Sequence, residues 1–89
     1  MAEYEHYVAD FYFRRKLYLS AAFRYSALLQ EYGNLGYDEE GLLRLGKCYI
    51  NTRMYSNARE ALKTLVNRFP KSEWRAEADR LLGDLTTKN

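Results

Sequence analysis

A chain of 89 residues with 47% hydrophobic and 29% charged side chains suits one small folded domain, or a piece of a larger one, and excludes a disordered tail. Its net charge of +2 comes from 14 basic and 12 acidic residues spread along the chain, unlike the uninterrupted basic stripe that nucleic acid requires. A single cysteine, Cys48, excludes an internal disulfide and a cysteine zinc cluster, and no stretch approaches the roughly 20 apolar residues of a membrane span.

The start, MAEYEH, has no charged n-region, apolar h-region or lipid-attachment cysteine, so any export or lipidation signal is expected outside this chain. Proline occurs once, at Pro70, and long stretches lack any breaker, which makes helices the default. The spacing predicts helices over about 3–15, 18–32, 38–52, 55–69 and 73–85.

In the first, YVADFYFRR, Val8, Phe11 and Tyr12 fall on one face, expected to be core. In the second, Ala21, Ala22, Tyr25, Leu28, Leu29 and Tyr32 repeat the pattern, and Gly33-Asn34 supplies the stop. Leu42, Leu45, Gly46 and Tyr49 mark the third helix, and Tyr55, Ala58, Leu62, Leu65, Val66 and Phe69 the fourth, which ends at Pro70. Asp38-Glu39-Glu40 and Ser72-Glu73 place acidic or capping groups at helix starts.

The halves are related. Tyr12 pairs with Tyr49, Tyr18 with Tyr55, Ala21 with Ala58 and Leu28 with Leu65, each 37 residues apart, and the same step carries Leu45-Gly46 onto Leu82-Gly83. Ala21 and Ala58 are small where helices of a hairpin approach closely, and Gly46 removes a side chain at another close contact. The order Leu42, Leu45, Gly46, Tyr49, Ala58, Leu62, Leu65, Pro70 resembles the tetratricopeptide repeat. The first copy, Glu5, Val8, Ala9, Tyr12, Ala21, Tyr25, Leu28 and Gly33, is looser, and the turn GNLGYD lengthens the period. The expected fold is all-α, a tetratricopeptide-like solenoid of two hairpins (about 2–35 and 39–72) and a closing helix (about 73–85).

Such a fold offers a concave surface. The candidate groove residues are His6, Asp10, Phe13, Arg14, Leu43, Lys47, Ile50 and Asn51, which mix charge with apolar area as a peptide-binding surface does; a solvated face is the plainer reading. Phe13 fits either a groove contact or packing against a preceding repeat. A clamp for a terminal carboxylate needs Lys and Asn, and the corresponding positions hold His6, Asp10, Glu40 and Leu43, so that reading is unfavourable. His6 is the only histidine and reads as structural or solvent-exposed, and Cys48 as a packed thiol. Arg14-Arg15-Lys16 either compensates a helix dipole or meets an acidic partner. No phosphate loop, nucleophile motif or paired acid/base framework occurs, so no catalytic residue, metal or cofactor is expected, and no enzyme.

YVADFYFRRKLYLSAAFRYSALLQEY followed by DEEGLLRLGKCYINTRMYSNAREALKTLVNRFPKSEW resembles the carboxy-terminal two repeats of outer-membrane assembly lipoproteins of the BamD type, also called ComL or YfiO, over roughly residues 4–83. The resemblance implies a scaffold on the periplasmic side of the outer membrane, held by a lipid anchor outside this chain. Its implied partners are the POTRA region of the barrel-assembly protein and accessory lipoproteins, with Arg24 at the POTRA contact. The alternative is a peptide-binding adaptor of another system, either a Tol-Pal-linked coordinator or a cytoplasmic co-chaperone-like protein. A first helix without its natural neighbour could also pair two copies into a homodimer.

Overall fold

The computed structural model describes residues 2–32 and 38–87. Five helices lie among them: α1 (Ala2–Arg14), α2 (Tyr18–Tyr32), α3 (Asp38–Asn51), α4 (Tyr55–Arg68) and α5 (Arg75–Leu85). Each helix packs chiefly on its chain neighbours, α1 on α2, α2 on α3, α3 on α4 and α4 on α5, which is the order of a helical solenoid. The expected tetratricopeptide-like architecture is therefore present. The Gly33-Asn34 stop and most of the GNLGYD turn lie outside the described residues.

The hairpin turns are alike. At Arg15–Leu17 the Lys16 N–H donates to the Phe13 carbonyl (3.0 Å) and the Leu17 N–H to the Tyr12 carbonyl (3.0 Å). At Thr52–Met54, the Arg53 N–H donates to Ile50 (3.1 Å) and the Met54 N–H to Tyr49 (2.8 Å). Both are Schellman closures, whose left-handed residue is usually glycine, and here it is Lys16 (φ 62°) or Arg53 (φ 63°).

Small residues set the layer spacing. Ala9, Ala21, Ala58 and Ala78 are fully buried, along with Tyr25, Leu62, Leu65 and Leu85. A Cβ on Gly46 would stand 2.7 Å from Leu62 Cδ2, so α3 and α4 approach at this point only because the side chain is missing. Such contacts compensate for a small core, since apolar burial stabilises by roughly 25 cal/mol per Å².

Two expectations need correction. Val8 and Phe11 are not core: Val8 is half-buried beside an open cleft and Phe11 is 38% exposed, because Ala9 and Tyr12 are the residues α1 turns toward its neighbours. The fifth helix starts at Arg75 rather than near 73, with Trp74 at its N-cap and no side-chain cap. Ser72 instead accepts the Trp74 N–H through Oγ (3.1 Å) and shapes the turn ahead of the helix.

Candidate protein-interaction surfaces

The face shared by α1, α3 and α5 holds a polar network. Asp10 Oδ1 accepts from the Tyr25 hydroxyl and from Arg44 Nη1, drawing α1, α2 and α3 onto one carboxyl group. Arg44 Nη2 also meets Glu40 Oε2 at 3.2 Å. His6 lies between Asp10 Oδ2 (3.4 Å from Nδ1) and Glu40 Oε1 (3.3 Å from Nε2). Toward α5, Lys47 Nζ pairs with Glu77 Oε2 at 2.6 Å.

The surroundings set the ionisation. Burial, reinforced by the Asp10 hydrogen bond, pushes the Tyr25 hydroxyl far up, so it donates as a neutral phenol. Burial acts to lower the Arg44 guanidinium, but hydrogen bonds with Tyr25 and Asp10 outweigh it and raise it. Cys48 is fully buried, as expected of a packed thiol, and that burial pushes its thiol up to about 12.

The eight predicted groove residues therefore separate. His6 and Asp10 are absorbed in the network. Phe13 packs edge-to-face on Tyr18 and Tyr25, with the Arg44 guanidinium 5.6 Å from its ring, so it fills the space between helices rather than lining a groove. Leu43 is 2% exposed and belongs to the core, which corrects its place in the groove set. Ile50 packs partly on the core, Lys47 is engaged with Glu77, and Asn51 Nδ2 donates to the Lys47 carbonyl (2.8 Å). Arg14 is exposed at the end of α1. Arg44 escaped the sequence reading, although its i,i+4 spacing from Glu40, matching His6–Asp10, was the available signal.

The opposite face of the first hairpin is apolar and open. Tyr4 and Tyr7 are 65% and 60% exposed, and with Val8, Phe11, Tyr12 and Arg24 they line a cleft of about 320 Å³. A second cleft, about 330 Å³, adjoins it between Tyr12, Leu19, Ser20, Phe23 and Arg24. Arg24 borders both. Its guanidinium lies 5.9 Å from the Tyr12 ring and 3.9 Å from Glu5 Oε2. The 37-residue step carries Val8 and Phe11 onto Leu45 and Cys48, which are buried in the second hairpin. The face that α3 covers by packing on α2 is thus uncovered on α1.

Stacked hairpins, one face cross-linked by a polar network and the other open and aromatic, define a tetratricopeptide-like helical-repeat protein. A family model described as YfiO, outer membrane lipoprotein, matches residues 1–61, and the chain belongs to that family. The family is one of outer membrane lipoproteins, not of enzymes. A comparison with curated proteins yields no match. Among the described residues no helix is long and apolar enough to cross a membrane, and no group of potential ligands could hold a metal ion.

Proposed function

We propose that this chain is a protein-interaction scaffold from the carboxy-terminal repeats of a BamD-like lipoprotein. It works at the periplasmic side of the outer membrane in β-barrel assembly and docks a POTRA domain through the outer face of α1 and α2. The observation that carries the reading is the position of Arg24. It borders two adjoining clefts walled by exposed aromatics, and its ion pair with Glu5 is long, so its guanidinium is available to a partner carboxylate beside apolar surface. Arginine flanked by aromatics is the composition of an interface hot spot. The inner face supports the adaptor alternative poorly, since its charges are already paired with one another.

The test is binding of an isolated POTRA domain by calorimetry, comparing the parent chain with Arg24→Ala and with Arg75→Ala on the distant α5. Arg24→Ala is expected to weaken binding about tenfold or more, and Arg75→Ala to leave it unchanged. Equal binding by the parent and Arg24→Ala removes the reading.

A further inference from the structure

The hairpin turns break two local rules at the same edge, and they do so in both repeats. A Schellman closure favours glycine at its left-handed position, yet Lys16 and Arg53, related by the 37-residue step, occupy it. A helix amino terminus favours acidic residues, yet neither α2 nor α4 has one in its first turn. Each basic residue is followed by an exposed apolar one: Leu17 is 49% exposed and Met54 39%. Leu19, 66% exposed, extends the apolar strip, and Arg14 and Arg15 extend the basic one.

The fold assembles what the linear sequence disperses. The pairs His6–Glu40 and Asp10–Arg44 show that α1 and α3 run in the same direction, so both turns fall at one end of the solenoid, where Leu19 and Met54 line one cleft. Residues 11–29 contain no acid, nor do residues 41–59, although the net charge of the chain is only +2. The carboxyl group that α5 brings to this end, Asp84, pairs with Arg80 on its own helix (3.6 Å). Consistently broken local preferences mark functional positions.

We propose that this edge, Arg14–Leu17 with Leu19, Arg53 and Met54, docks on an anionic lipid surface. Basic side chains meet the phosphate headgroups while Leu17, Leu19 and Met54 enter the boundary with the acyl region, the pairing that drives interfacial binding. The match is one of charge and hydropathy along a line of repeated turns, and it suits a plane better than a single acidic peptide. Membership of an outer membrane lipoprotein family keeps such a surface within reach. Leu19 also borders the second Arg24 cleft, so the two surfaces adjoin there, whereas Lys16 and Arg53 of the basic turns line neither Arg24 cleft.

The test is co-sedimentation of the chain with vesicles of phosphatidylethanolamine and phosphatidylglycerol, and with vesicles of phosphatidylcholine. The chain is expected to partition onto the first and not the second, less so as salt rises. The double variant Lys16→Gly with Arg53→Gly suits the left-handed turns, so its circular dichroism and melting temperature hold or rise. Its partitioning is expected to fall about 25-fold, roughly fivefold per basic residue. Equal partition onto both vesicles, an unaltered double variant, or retention by polyglutamate without vesicle binding each overturns the proposal.

Discussion

Asp10 joins three helices through one carboxyl group, so its loss is felt by groups that cannot find water easily. In Asp10→Ala the buried Tyr25 hydroxyl and the part-buried Arg44 lose their shared acceptor. Urea unfolding is expected to show a loss of about 2–3 kcal/mol. Asp10→Asn keeps an acceptor oxygen and is expected to lose less. Cys48 makes the opposite kind of residue-scale statement, since it is buried in the apolar core. Burial raises its thiol from near 9 to about 12, so between those values the unfolded chain ionises where the native one does not. Its contribution to stability is whole below about pH 9 and is lost as pH climbs toward 12. At about pH 8, iodoacetamide should label native Cys48 only at the rate of unfolding, and free labelling of the folded chain would contradict this burial.

At the scale of elements, the glycines aligned by the repeat are not equivalent. Gly46 faces Leu62 across the α3–α4 contact, whereas Gly83, one repeat step later on α5, has nothing within 4 Å of its Cβ position. Gly83→Ala is expected to stabilise by about 0.5–1 kcal/mol through helix propensity. Gly46→Ala gains the same propensity but drives a methyl group into a fully buried leucine, an overpacking cost of about 1–3 kcal/mol that leaves it net destabilising. Melting temperatures of the two variants should therefore move in opposite directions. The same difference explains why the repeat was legible while its consequences were not. The 37-residue step reveals which positions correspond, but whether a helix stands opposite depends on the stack. Gly46 behaves as the repeat pattern implies, and Gly83 does not because no described helix follows α5.

Across the whole molecule, stability is shared unevenly, because a solenoid is held by nearest-neighbour contacts. The middle helices α2, α3 and α4 each pack on two neighbours, while α5 has 11 residues, one main neighbour and the Lys47–Glu77 bridge. Hydrogen exchange is expected to show α5 amides opening first and those of α2, α3 and α4 last. Uniform protection across all five helices would mean that the stack unfolds as one unit instead.

The sequence by itself determined the five helices, their order and the repeat, because apolar spacing and breakers act over a few residues and survive without tertiary contacts. It also placed Ala21, Ala58 and Gly46 at close contacts and marked Cys48 as packed. Only the tertiary structure decided which face of α1 is covered, leaving Phe11 open and drawing Phe13 onto Tyr25, since both faces of that helix are rich in aromatics. It alone moved Leu43 into the core and brought Asp10, Tyr25 and Arg44 together. It also lined up two basic turns that stand 37 residues apart in the chain. Periodicity is a property of one helix, whereas burial, polar networks and surface patches are properties of helices placed against one another.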